Sequence, residues 1–193
     1  MAKNNGIQKH FVFFIFFLTL FLAIVISALI HLLLTKIVSI YLSFLLLLVI
    51  ILIGIIFDII GIAATAATEV SFHSKSAKRV TGAAHTIKLI RNADKVANFA
   101  NDVVGDISGT VSGALGASIV FQIMLSHPTP NEIYLETFMT AMVAAVTVTG
   151  KAIGKGFAIR EANNIIFRIG KLWASIDGPM AFFAKDKNVQ RGK

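Results

Sequence analysis

Long apolar runs separated by short polar segments set the pattern of this chain, and their lengths predict membrane-crossing helices. From about Phe11 to Leu34 only Thr19, Ser27 and His31 interrupt the apolar sequence. That is enough for one crossing, which needs about 20 residues. Lys3 and Lys9 precede this run, so a signal peptide is the rival reading. The run exceeds an h-region of about 7–15 residues and no small-x-small cleavage site follows it, which favours an uncleaved helix. The second run starts near Val38 and stays apolar through Phe57. It then passes Asp58 into a small-residue stretch, Gly61 to Thr68, that closes at Glu69.

A third run, about 98–125, is rich in Gly and Ser. Gly105, Gly109 and Gly113 repeat at four-residue steps, as do Ser112 and Gly116. Small residues on one face let helix backbones approach closely in lipid, so this stripe is expected to pack tightly. The segment His127-Pro128-Thr129-Pro130-Asn131-Glu132 reads as a turn. A fourth run follows from about Ile133 to Lys155.

The composition agrees with a membrane protein. Of 193 residues, 56% are hydrophobic, and the mean hydropathy is +0.79. The chain has no cysteine, which excludes disulfides and thiolate chemistry. The net charge of +8 invites a nucleic-acid reading, but the basic residues cluster beside apolar spans, where membrane-surface contact explains them better. Six Lys and Arg, from Lys75 to Lys95, lie between spans two and three, and more follow span four, whereas residues 126–132 have none. The positive-inside rule then puts both termini in the cytoplasm.

Two of these basic segments look amphipathic. In the first, Val80, Ala84, Ile87 and Ile90 alternate with His85, Lys88 and Lys95. In the second, Ala162, Ile165, Ile166, Ile169, Leu172 and Trp173 recur at helical spacing opposite Arg160, Asn163, Asn164, Arg168 and Lys171. The implied fold class is all-α: an integral membrane helical bundle of four transmembrane helices with cytoplasmic amphipathic belt helices. Residues 1–36 form an N-terminal transmembrane helix. Residues 37–175 hold spans at about 38–68, 98–125 and 133–155 and belts at about 76–95 and 157–174. Residues 176–193 are expected to be a mobile cytoplasmic tail.

Charges inside the apolar runs are where chemistry is expected. A charge at the bilayer centre costs roughly 2.5–3.5 kcal/mol on insertion scales, so such residues pair, line a wet cavity or hold an ion. Asp102 and Asp106, four residues apart, share one helix face. With Ser108 and Thr110 nearby they resemble a hard-cation site, since magnesium prefers oxygen ligands. A structural pair neutralised by Lys or Arg is the equal alternative. Asp58 is a secondary ion-path candidate, Glu69 a solvated or capping residue and His31 an interfacial histidine. No catalytic triad, HExxH, P-loop or GxSxG pattern occurs, and Glu69, His73 and His85 are too sparse for a membrane enzyme, so no enzyme is expected.

Spans two to four, roughly residues 40–175, resemble the transmembrane domain of cyclin M (CNNM)/CorC-type magnesium transporters, also called domain of unknown function twenty-one. Four segments carry the resemblance: Ala67-Thr68-Glu69-Val70, Lys75-Ser76-Ala77-Lys78-Arg79 with Ile87-Lys88-Leu89-Ile90, Asn101-Asp102-Val103-Val104-Gly105-Asp106, and Gly150-Lys151-Ala152-Ile153-Gly154-Lys155. Their order and spacing match Glu-Thr-Ala-Leu, a basic segment, Gly-Asn-x-x-x-Asn and Gly-Glu-x-x-Pro-Lys. The resemblance implies magnesium held by hydroxyls of Thr65 and Thr68, by Asp102 and Asp106 at the Asn positions, and by the main-chain carbonyl of Gly150.

Lys151 stands where that family has Glu, and Gly154 where it has Pro. The nucleotide-binding CBS modules that commonly follow the domain are missing, so no ATP-binding module is expected in this chain. At the three charge-bearing positions two Asp and one Lys sum to minus one, as one Glu does in the family. Two functions are therefore expected: a divalent-cation (magnesium) transporter-like protein using the Asp pair, or a non-transporting structural or regulatory membrane protein in which Lys151 pairs with the Asp residues in place of the ion. The expected partners are the lipid bilayer and a second copy in a homodimer, in the cell membrane, with no nucleic acid.

Overall fold

The computed structural model describes residues 4–36, 39–126 and 132–189. Its elements are α1 (Asn4–Lys36), α2 (Ile40–Ala66), α3 (Val70–Ala77), α4 (Ala83–Arg91), α5 (Ala93–Ala97), a π-helical stretch (Asn98–Gly105), α6 (Asp106–Ser126), α7 (Glu132–Arg160) and α8 (Ala162–Val189), with no strand among the described residues. Four helical runs are long and apolar enough to cross a bilayer: Phe13–Ile30 within α1, Ile40–Ala66, Ala93–Ser126 and Ile133–Arg160. Phe13, Phe14, Phe16, Phe17 and Phe21 on α1 are all exposed. An apolar surface of that extent, on a helix long enough to cross a bilayer, suits lipid rather than water. The chain is a multi-pass, all-helical membrane protein.

Several boundaries differ from the sequence pattern. The belt expected at 76–95 is three short helices, because the chain turns sharply at Lys78–Gly82, with Arg79 at φ 53° and Gly82 at φ 86°. The belt expected from 157 begins at Ala162, since α7 continues through Gly154 and Gly156 to Arg160. Without a proline nothing removes a helical hydrogen bond there. α8 runs on to Val189 instead of ending near 176. Its Met180–Ala184 stretch is apolar and helix-compatible. The turn at 127–131 and the side chain of His31 lie outside the described residues.

The chain divides into two compact units, one of residues 1–57 and 101–152 and the other of residues 58–100 and 153–193. In the first unit, Ile107, Val111, Leu115 and Ile119 recur every fourth residue on α6. They bury one stripe against Leu47, Ile50 and Ile51 of α2, Val143 of α7 and Ile30 of α1. Close approach depends on small residues. A Cβ on Gly54 would lie 2.9 Å from Ser108 Cβ, one on Gly116 would meet Val143 Cγ2 at 3.3 Å, and one on Gly150 would strike Ile55. Ser43, fully buried, donates from Oγ to Gln122 Oε1 across α2 and α6 at 3.2 Å.

The expected packing stripe is corrected here. A Cβ on Gly109 or Gly113 would meet nothing within 4 Å. Packing within the chain uses the Ser112–Gly116 step of the expected stripe, together with Ser108. These flank the large aliphatic stripe, which takes the core and rotates Gly109 and Gly113 outward.

In the second unit, Ala63, Ala64, Leu89, Ala158, Ala162 and Ile166 form a small core. α4 faces α8 with Ala83, Thr86 and Leu89 buried, while Val80 and Ala84 of the expected apolar face are exposed. The face is set by backbone contact. A Cβ on Gly170 would strike Thr86 Oγ1 and lie 2.8 Å from the Gly82 carbonyl. Thr86 Oγ1 is itself satisfied by donating to the Gly82 carbonyl at 2.8 Å. Phe72 and Phe167 stack at 5.7 Å, with the Lys75 and Lys171 ammoniums 4.9 and 4.5 Å from the Phe167 ring centre.

Alanine at two glycines separates packed from open positions. Gly54→Ala should destabilise the purified protein by about 1–3 kcal/mol through overpacking against Ser108. Gly109→Ala should leave the fold of the single chain unchanged or stabilise it by up to about 1 kcal/mol, since alanine is the better helix former. Thermal unfolding of both variants in one detergent checks this.

Candidate functional site

The π-helical stretch Asn98–Gly105 interrupts what the sequence predicts as continuous α-helix, and the acidic pair brackets its end. Asp102 lies within it and Asp106 opens α6. Single π-helical turns inside helices occur frequently at functional sites. Val103 and Ile107 point into the first unit's core, so Asp102 and Asp106, each one residue earlier, are turned outward and exposed.

Lys151, on α7, brings its Nζ to 3.8 Å from Asp106 Oδ1, the Lys side chain 26% exposed and the Asp side chain 74%. The adjoining Gly150 sets this approach, because it lets α7 close on Ile55 of α2. The carboxylate of Asp102 has no hydrogen-bond or ion-pair partner among the described residues. Beside it, Asn101 Oδ1 is buried and lacks a partner among those residues. Nothing in the residue pattern had singled out Asn101. Its signal is that a buried, unpaired amide oxygen costs free energy unless something answers it.

The other proposed ligands belong to the second unit. Thr65 is exposed, and its Oγ1 donates to the Ile62 carbonyl at 2.9 Å. Thr68 is exposed, and its backbone N–H donates to Asn163 Oδ1 at 3.0 Å. Asp58 is partly buried on α2. Among the described residues no group of three or more His, Asp or Glu side chains converges as a metal cluster.

Glu69 precedes α3 without capping it through its side chain. Its carboxylate instead accepts from Arg91 Nε at 3.1 and 3.3 Å and lies 3.4 Å from His73 Nε2. The partner at position 91 is 22 residues away, which no local pattern reveals. A second unforeseen pair joins α4 and α8, with His85 Nε2 3.1 Å from Asp177 Oδ2 and the His85 ring 5.7 Å from Trp173.

No family model matches the chain, and no curated protein or solved structure is similar enough to count as a relative.

Exposure lowers the value of the Lys151–Asp106 contact. A buried pair would lose on the order of 3–5 kcal/mol when one partner is removed, but an exposed pair contributes about 0–1 kcal/mol. A double-mutant cycle with Lys151→Met and Asp106→Asn, read by thermal unfolding in detergent, should give a coupling energy below about 1 kcal/mol.

Proposed function

We propose that this is a CorC-like, multi-pass membrane protein in which the Lys151 ammonium takes the place of a divalent cation. It serves as a non-transporting structural or regulatory membrane protein, is not an enzyme, and resides in the cell membrane with both termini cytoplasmic. The single observation that carries the reading is the 3.8 Å contact between Lys151 Nζ and Asp106 Oδ1. An ammonium at that carboxylate repels a metal ion and occupies one of its few oxygen ligands. The resemblance in the Gly150–Lys155 segment supplies the family context. The basic segments around Lys75–Lys95 and after Lys155 support the cytoplasmic orientation and a belt role for α4 and α8. The open stripe of Gly109 and Gly113, on the same outward side of α6 as Asp106, supports a homodimer through small-residue contacts.

Magnesium transport is the second reading, and the carboxylate of Asp102, without a partner among the described residues, favours it. In that case the transported ion is met by Asp102 and Asp106, with the Asn101 amide oxygen as a further donor. The Gly150 carbonyl, in the same unit, contributes as the resemblance implies.

Magnesium-dependent unfolding separates the two. A ligand that binds only the native state raises stability, by about 2.7 kcal/mol at a hundredfold excess over its dissociation constant. The wild type should show no shift in Tm at millimolar magnesium, whereas Lys151→Glu should gain one. A wild-type shift that Asp102→Ala abolishes would instead establish the transport reading.

A further inference from the structure

We infer that the groove between α2 and α7, floored by α6, holds one acyl chain of a resident phospholipid whose headgroup carries an ammonium. The groove encloses about 390 Å3 and lies wholly within the first unit. Its floor is buried, formed by Ile51, Val120 and Val143. Its rims are open, with Phe44 and Leu48 exposed on α2 and Phe138 and Met142 exposed on α7.

Chemistry selects the occupant. All the lining side chains are aliphatic, aromatic or thioether, so an extended peptide would find no partner there for its backbone groups. Helices associate in lipid through small residues, and this lining includes no Gly, Ala, Ser or Thr. A run of methylenes needs neither. Met139 and Met142 add unbranched side chains that repack around a flexible guest. Length agrees with this. The lining on α7 runs from Leu135 to Val146, about 16 Å at about 1.5 Å per residue. One leaflet's share of the hydrocarbon is about 15 Å.

The groove ends at the level of a headgroup. Tyr41 stands one turn before Phe44 on the same face of α2, and Tyr134 adjoins Leu135 on α7. Both are exposed, as tyrosines at a membrane–water boundary are. Glu136 stands one turn before Met139 and is exposed, with no cation paired to it among the described residues. A carboxylate left without a counter-charge at that level attracts an ammonium and repels an anionic headgroup. From Glu136 to Lys151 is about 22 Å along α7 at about 1.5 Å per residue, so the headgroup does not reach the Lys151–Asp106 pair. The inference rests on the membrane-spanning assignment and not on what Lys151 does.

Trp173 is the chain's one tryptophan, so in a Trp173→Phe background a new tryptophan reports on one place alone. Full-length Phe138→Trp puts it on the groove's rim, and full-length Phe13→Trp puts it on the exposed face of α1. Phosphatidylethanolamine with brominated acyl chains is titrated into each protein in detergent. Phe138→Trp should be quenched saturably near one lipid per chain, and Phe13→Trp weakly and without saturation. Brominated phosphatidylglycerol should need several-fold more lipid, and Glu136→Gln should remove that difference. Leu48→Phe with Met142→Phe, which narrows the groove from its open rims, should abolish the saturable quenching and leave helix content unchanged. Equal, unsaturable quenching at both tryptophan positions would overturn the acyl-chain assignment. Equal saturation by the two lipids would overturn the headgroup. Disulfide crosslinking of Leu48→Cys between two copies, in a chain with no cysteine of its own, would overturn both by naming a second copy as the occupant.

Discussion

Lipid gives apolar helices no hydrophobic reason to associate, and the architecture of the first unit depends on that constraint. In such a solvent, helices are held by close van der Waals contact and a few interhelical hydrogen bonds. The unit supplies both. Gly54 admits Ser108, Gly150 admits Ile55, and Ser43 is tied to Gln122. These contacts fix the rotation of α6, turning Ile107 to Ile119 inward and leaving Asp106 on the outward side. They also fix the approach of α7 that carries Lys151 to Asp106. The ion pair is thus a result of the packing and contributes little to it, as its exposure requires.

The second unit solves a different problem. Its helices α3, α4 and α5 are short, and its core is mostly alanine with Leu89 and Ile166. Backbone-close contacts at Gly82 and Gly170 replace bulk, and ion pairs such as Glu69–Arg91 join elements far apart in sequence. The left-handed backbone at Arg79 and Gly82 makes the sharp return between α3 and α4 possible. Glycine takes that conformation without penalty, whereas Arg79 adopts it at some cost in strain.

What the sequence revealed follows from which signals are local. Apolar run length is local, and it located all four spans to within a few residues. The positions of Asp102, Asp106 and Lys151 in those runs were visible for the same reason. Rotation is not local. The glycine repeat at 105, 109 and 113 suggested the packed face, yet the neighbouring aliphatic stripe claimed the core and left Gly109 and Gly113 open. The face of α4 was misjudged similarly, because Gly170 on another helix selects Thr86 as the contact. The π-helical winding at Asn98–Gly105 and the buried Asn101 oxygen depend on tertiary packing that no periodicity encodes.

The placement of α1 has a mechanical consequence. Among the described residues α1 gives the first unit's core one buried side chain, Ile30, with Ile15, Leu22, Ala23 and Ile26 packed partly buried against it, while Phe13, Phe14, Phe16, Phe17 and Phe21 lie open to the surroundings. A helix seated mainly by partly buried side chains can lean to match local bilayer thickness with little disturbance to the helices it accompanies. Thinning or thickening of the membrane is then absorbed at the periphery, while the spacing between α2, α6 and α7, and with it the distance from Lys151 to Asp106, stays constant.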